Sequence, residues 1–316
     1  MRDCVREPGV LLSMLGLDEL ARRLPADSAG FAMRVPLGFV ARMRHGDPLD
    51  PLLRQVLPLD DELTPVAGFV HDAVGDLDHR IGPGVLHKYR GRALLIATAN
   101  CAVHCRYCFR RHFPYADQNA GANEWQGALA AIGADAQIEE VILSGGDPLS
   151  LATSKLRELT SQLQQFTHVR RLRIHSRLPI VLPQRIDAEL LSWLDNLPLQ
   201  KVMVVHANHG NEFDRGVDSA LAALKERGVT LLNQAVLLHG VNDDVDALAD
   251  LCERGFEAGV LPYYLHQLDR VSGAAHFEVT DERARQLLAQ LRDRLPGYLV
   301  PRLVREIAGH LAKQPL

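Results

Sequence analysis

The chain has 316 residues, with 35 Lys and Arg against 39 Asp and Glu, a formal net charge of −4. That length suits one large α/β barrel or two smaller domains, and the slight acidity argues against nonspecific nucleic-acid binding as the main task. There is no apolar run of about 18 residues to span a membrane; Met1-Arg-Asp-Cys-Val-Arg-Glu-Pro8 lacks a secretory core, and five cysteines suit a reducing cytoplasm.

In chain order, residues 1 to about 85 read as short helices broken by turns such as Gly46-Asp-Pro48 and Gly82-Pro-Gly84. Short apolar runs then alternate with amphipathic stretches. The runs are Ala93–Ala97, Glu140–Leu143, Leu172–Ile174, Lys201–Val205, Val229–Leu232 and Leu261–Leu265, each read as a strand. Between them, Leu156, Leu159, Leu163 and Phe166 recur at helical spacing, as do Val217, Ala220, Leu221 and Leu224 before Gly228, a C-cap candidate. Thr280 with Asp281-Glu282 opens a last helix. Such strand–helix units demand a parallel sheet with right-handed crossovers. Periodicity alone fits a doubly wound sheet as well as a barrel.

Three cysteines fall within eight residues, Cys101-Ala-Val-His-Cys105-Arg-Tyr-Cys108, just after the first of these strands. Thiolates select iron–sulfur clusters, zinc or copper(I), and a ligand set with one position open is catalytic rather than structural. We read a [4Fe–4S] cluster with one iron free for a substrate. The alternatives are zinc completed by His104 or His112, or buried cysteines without a ligand. Cys4 and Cys252 read as chemically idle. Ser144-Gly-Gly-Asp147 follows the second strand, where glycines let backbone approach a ligand closely, though the same string makes an ordinary turn. Arg110 and Arg111 offer planar paired donors for a carboxylate; for Arg111 the solvated reading is kept.

The cysteine segment resembles the radical S-adenosylmethionine superfamily, with Tyr107 at the aromatic position before the third cysteine. Cys105–Arg111, Ser144–Leu149, Ser176–Arg185 and Tyr264–Phe277 narrow the resemblance to the lysine 2,3-aminomutase family. Arg34-Val-Pro36, Gly46–Pro58 and Arg110-Arg-His-Phe-Pro-Tyr115 resemble its branch serving elongation factor P. The likeness runs from about Phe31 to the last residue. It implies an α/β fold, a partial (β/α)6 radical-SAM barrel. An N-terminal helical segment (1–85) would precede the barrel core (86–298), and a short closing segment (299–316) would carry the cofactor lysine. Every motif lies at or just after a strand's C-terminal end, the face where barrels place their sites.

The resemblance also implies roles. Cys101, Cys105 and Cys108 would ligate the [4Fe–4S] cluster, whose open iron takes S-adenosyl-L-methionine. Tyr107, Ser144, Gly145, Gly146, Asp147, Arg177, His206 and Gln234, with Asn208 as a secondary candidate, would form the pocket of that nucleoside. Lys313 would carry pyridoxal 5′-phosphate as an internal aldimine, which requires its pKa near 10.4 to fall through burial or neighbouring cations, and Lys88, Tyr89 and Arg92 would contact the phosphate. Arg110 would clamp the substrate α-carboxylate, with Asp269 and Glu306 bracketing a terminal ammonium. The implied activity is a 2,3-amino shift turning L-α-lysine into β-lysine: an isomerase fed by an external electron donor and linked through a ligase to elongation factor P, with neither membrane nor nucleic acid as partner. The competing expectations are a catabolic lysine or glutamate 2,3-aminomutase, and an iron–sulfur or zinc protein binding RNA or a partner through Arg106, Arg110 and Arg111.

Overall fold

Proline, glycine and short apolar pairs dictate the first part of the chain. β1 (Cys4–Val5) pairs antiparallel with β2 (Val35–Pro36), and between and after them come the short helices α1 (Pro8–Met14), α2 (Leu37–Val40) and α3 (Pro51–Arg54). Asp50 caps α3, its carboxylate accepting from the backbone N–H groups of Leu52 and Leu53 at 2.9 Å each. Leu11, Leu12, Phe39, Leu52 and Leu53 are fully buried in a small core completed by Val103 and Val181 from later in the chain. The short helices expected here are present. The computed structural model describes residues 4–24, 31–82, 84–115 and 125–316. Pro83, inside the expected Gly82–Gly84 turn, and the first three residues lie outside that description.

β3 (Arg80–Gly82), β4 (Val85–Tyr89) and β5 (Arg92–Thr98) form an antiparallel meander. From β5 onward the sheet is parallel and follows chain order: β6 (Glu140–Gly145), β7 (Arg171–Ser176), β8 (Gln200–Val205), β9 (Thr230–Val236), β10 (Leu261–His266) and β11 (Arg302–Arg305). β12 (Gln314–Pro315) folds back antiparallel on β11. All six expected strands are present, as β5 to β10. The connecting helices are α4 (Gln126–Ala134), α5 (Thr153–Leu163), α6 (Leu178–Val181), α7 (Ala188–Asp195), α8 (Arg215–Glu226), α9 (Val245–Glu257) and α10 (Asp281–Arg294). α5 buries Leu156, Leu159 and Leu163, with Phe166 just past its end. α8 buries Val217, Ala220, Leu221 and Leu224, and Gly228 follows at φ +70°. The Thr280 hydroxyl caps α10 by accepting from the Arg283 N–H.

Strand alternation places the site. Successive side chains point to opposite faces, so Ala93, Leu95 and Ala97 of β5 join the outer core while Arg92 and Leu94 face an inner cavity. Likewise Leu172 and Ile174 of β7 face outward, and Arg173 and His175 inward. The sheet is open, ordered β12-β11-β10-β9-β8-β7-β6-β5-β4-β3, so the barrel is partial as expected. Among the described residues no ladder joins its two ends. Side chains do so instead: Glu306, just past β11, accepts from the Tyr89 hydroxyl of β4 at 2.7 Å and pairs with Lys88 at 3.4 Å.

Candidate active site

A cavity of about 500 Å³ opens at the C-terminal ends of the parallel strands. Every residue that the sequence marked for the cluster, the nucleoside, the phosphate or the substrate lines it. Arg111 does not. Its guanidinium is buried against Glu62 at 2.6 Å, not solvated, because the loop turns it inward beside the fully buried Arg106, which pairs with the same carboxylate. Both guanidiniums stack on Phe31.

The cysteine loop follows β5 and is held from three sides. Arg34 Nη1 donates to the Cys101 carbonyl at 2.9 Å, Arg106 N–H to the Gln55 carbonyl at 2.9 Å, and Arg177 Nη1 to Cys105 Sγ at 2.7 Å. Burial, then Asp147 and the other two cysteines, push the Cys101 thiol well above the ordinary range, while burial and Cys105 push Cys108 up to about 11. Three sulfurs lining one cavity, with the Arg177 guanidinium 2.7 Å from Cys105 Sγ to offset thiolate charge, suit a thiolate-ligated iron–sulfur cluster. The histidines proposed to complete a zinc site are occupied elsewhere. His104 bonds the Ala32 carbonyl and stacks on Phe31; His112 bonds the Ser272 carbonyl and stacks on His71. Among the described residues no three His, Cys, Asp or Glu side chains gather as ligands of a single ion.

Gly145 and Gly146 are required first by the protein itself. A Cβ on Gly146 would stand 2.5 Å from the Asn100 carbonyl oxygen, and one on Gly145, at φ +113°, 2.6 Å from that of Thr98. This closeness lets Gly146 N–H and Asp147 N–H donate to those carbonyls at 2.7 Å each, tying β6 to the cysteine loop. The Asp147 carboxylate is taken up by Ser176 Oγ and the backbone N–H groups of Leu149, Arg177 and Leu178, and burial still lifts it to about 6. It therefore aims Arg177. Tyr107 and Asn208 meet at 2.7 Å, and Asn208, Arg177 and Glu212 converge on Gln55. His206 bonds the Gln234 carbonyl, and burial lowers its imidazole to about 4; His175 and His266 are held well below the ordinary range for the same reason.

Opposite charges alternate across the cavity. Arg110 Nε pairs with Asp76 Oδ2 at 2.7 Å and its Nη1 donates to Ser144 Oγ at 3.0 Å. Lys88 Nζ lies 2.7 Å from Asp76 Oδ1, and Lys313 Nζ 2.7 Å from Glu306 Oε2. Burial works against ionising Glu306, but Lys313 and Lys88 outweigh it and bring the carboxyl down to about 2. The tail bearing Lys313 is docked: Gly309 turns at φ +80° and β12 pairs with β11. Lys313 thus has the Glu306 carboxylate as its partner, where the sequence reading called for burial or neighbouring cations.

Asp269 is different. Its Oδ1 is buried without a hydrogen-bond partner, and burial raises the carboxyl to about 7 despite Lys313 nearby. An acceptor with no donor inside a closed site suits a ligand that brings a cation. At the opposite chemical extreme, Arg92 stacks on Tyr89 at 4.8 Å with its buried Nε unpartnered, which fits an incoming anion. Asp76, Gln55, Glu212 and Arg173 were missed by sequence reasoning. Asp76, Glu212 and Arg173 sit in no motif, Gln55 lies in the Gly46–Pro58 string without a role assigned to it, and only the fold brings the four to the cavity or its wall.

Residues 95–252 match the family model described as Radical SAM superfamily. The chain is 49% identical to a protein of Escherichia coli (strain K12) named L-lysine 2,3-aminomutase, covering 100% of this chain and 93% of that one. A protein of the same name from Clostridium subterminale is 35% identical, over 88% of this chain and 67% of that one. Among solved structures, a radical SAM methyltransferase from Sphaerobacter thermophilus superposes with a TM-score of 0.50 at 17% identity, covering 70% of this chain and 68% of that chain, a likeness of fold. With the open sheet, the three-cysteine loop and this degree of identity, the chain belongs to the radical SAM superfamily and, within it, to the lysine 2,3-aminomutase family of isomerases.

Proposed function

We propose that the protein converts L-α-lysine to β-lysine in the cytoplasm, using a [4Fe–4S] cluster, S-adenosyl-L-methionine and pyridoxal 5′-phosphate. When bound, the first two supply one-electron hydrogen abstraction, and the third supplies the carbonyl that carries the migrating nitrogen. Cys101, Cys105 and Cys108 hold the iron. Tyr107, Ser144, Gly145, Gly146, Arg177, His206 and Gln234 wall the nucleoside side, with Asp147 fixing Arg177. Lys313 anchors the pyridoxal group, and Lys88, Tyr89 and Arg92 face its phosphate. Arg110 binds the substrate α-carboxylate. Glu306 serves as counter-ion of Lys313 and Lys88.

The observation that carries the lysine reading is the unpartnered carboxylate oxygen of Asp269. A terminal ammonium supplies the missing charge and donor; a glutamate side chain would bring a second anion to the same place. Binding of nucleic acid through Arg106 and Arg111 is disfavoured, since both are sequestered by Glu62. The likeness of Arg34–Pro36, Gly46–Pro58 and Arg110–Tyr115 to the branch serving elongation factor P supports delivery of the β-lysine to its ligase. That branch assignment separates this enzyme from a catabolic one.

The test is anaerobic reconstitution with the three cofactors and a one-electron reductant, then product analysis with L-lysine and L-glutamate in parallel. β-Lysine from lysine alone is expected. Unchanged lysine from enzyme with all cofactors bound rejects the assignment. Lys313→Ala should lose the yellow pyridoxal absorbance at unchanged iron content.

A further inference from the structure

Asp76 lies outside every motif in the sequence, yet it is only 2% exposed and carries two ion pairs at the edge of the substrate cavity. Its turn is held by further contacts. Asp72 accepts from the backbone N–H groups of Asp76 at 2.9 Å and Leu77 at 3.1 Å, and Lys88 Nζ donates to the Val74 carbonyl at 2.7 Å. The next residue back, Gly75, turns at φ +64° against Ala308 of the C-terminal hairpin. The carboxylate is therefore a rigid mount.

What it mounts is Arg110. With Nε on Asp76 and one hydrogen of Nη1 on Ser144, the guanidinium cannot rotate about its long axis. Its end-on edge, formed by Nη1 and Nη2, keeps two parallel donors for a carboxylate. Phe109 and Phe113 flank the same group at 4.7 and 5.9 Å and limit tilting. We infer that Asp76 is a positioning residue for substrate recognition: it orients Arg110 so that the α-carboxylate of the amino acid is bound bidentately. This rests on the reading of Arg110 given above.

An Arg held at one edge loses its aim when that edge is released, and a misplacement of about 1 Å can cost on the order of 100-fold. The experiment compares L-lysine as substrate with L-lysinamide as competitive inhibitor, which keeps both amines but has no carboxylate. In reconstituted enzyme, Asp76→Asn should raise KM for lysine on the order of 100-fold with kcat little changed, while Ki for lysinamide stays near the wild-type value. A parallel loss for both ligands, or an unchanged KM, overturns the inference. Iron and pyridoxal content certify that the variant is folded. Should Asp76→Asn not hold its cofactors, Asp76→Glu keeps the charge beside Lys88 and Arg110 and displaces the carboxylate by one methylene. It is expected to raise KM for lysine on the order of 10-fold, again sparing lysinamide, and equal effects on the two ligands, or an unchanged KM, overturn the inference. A wild-type enzyme that leaves lysine unchanged would instead defeat the proposed function before any variant is compared.

Discussion

Asp269 shows how one side chain sets both specificity and pH response. Its carboxyl, raised to about 7 by burial, is neutral below that pH and then offers little to an ammonium. Productive encounter with lysine requires the ionised form, so kcat/KM should rise tenfold per unit as pH climbs towards about 7 and level off above it. Asp269→Asn should abolish that limb and lower kcat/KM at pH 8 by on the order of 1,000-fold, as expected for removing one partner of a buried charge pair. A full pH–rate profile of both enzymes checks this. The same shift has the opposite sign for stability. In the cofactor-free protein the folded state holds the proton more tightly, so its contribution is complete below the ordinary aspartate range and is lost as pH rises through about 7. The Asn variant should therefore melt higher than wild type at pH 8 but not at pH 4. Of the residues that matter here, the cysteines were legible because three fall in eight positions. Asp76 was not, because its importance comes from two cations that only the fold brings to it.

Among the elements, β6 and the cysteine loop are joined by contacts that tolerate no side chain. Gly146→Ala would force a methyl to within 2.5 Å of the Asn100 carbonyl oxygen. Backbone must move, at a cost of about 1–3 kcal/mol. Because the moving backbone is the loop that leads to Cys101, iron content after anaerobic reconstitution should fall well below wild type while the far-ultraviolet circular dichroism persists. Most of strands β5 to β10 could be read directly from the sequence because they are runs of aliphatic or aromatic residues, while β7, Arg171-Leu-Arg-Ile-His-Ser176, showed only through Leu172 and Ile174 and its place between two helical stretches. β11 was not, since Arg302-Leu-Val-Arg305 is four residues with charges at both ends, and its strand character comes from pairing with β10. β12 is shorter still and exists through its pairing with β11. The Ser-Gly-Gly string was read as a ligand cradle; its tightest contacts are with the protein's own carbonyls, a distinction that depends on distances no pattern encodes.

For the molecule as a whole, Glu306 is the keystone of the gap between the two ends of the sheet, bonded to Tyr89, Lys88 and Lys313. Its carboxyl sits at about 2 when folded, against an ordinary glutamate near 4.5. A depressed pKa contributes stability above the unfolded value and loses it as pH falls through the folded one. Urea unfolding of the cofactor-free protein should thus weaken between pH about 4.5 and 2 by at most about 3 kcal/mol on account of this group, and Glu306→Gln should flatten that part of the curve.

Every other neighbour-to-neighbour junction around the curved sheet is stitched by main-chain hydrogen bonds, whereas this one is fastened by a carboxylate, a phenol and two ammonium groups. Water and salt compete with such a fastening far more readily than with a peptide ladder. Breathing of the enzyme should therefore begin along that line. A bulky ligand should find there a way in that leaves the woven part of the wall intact.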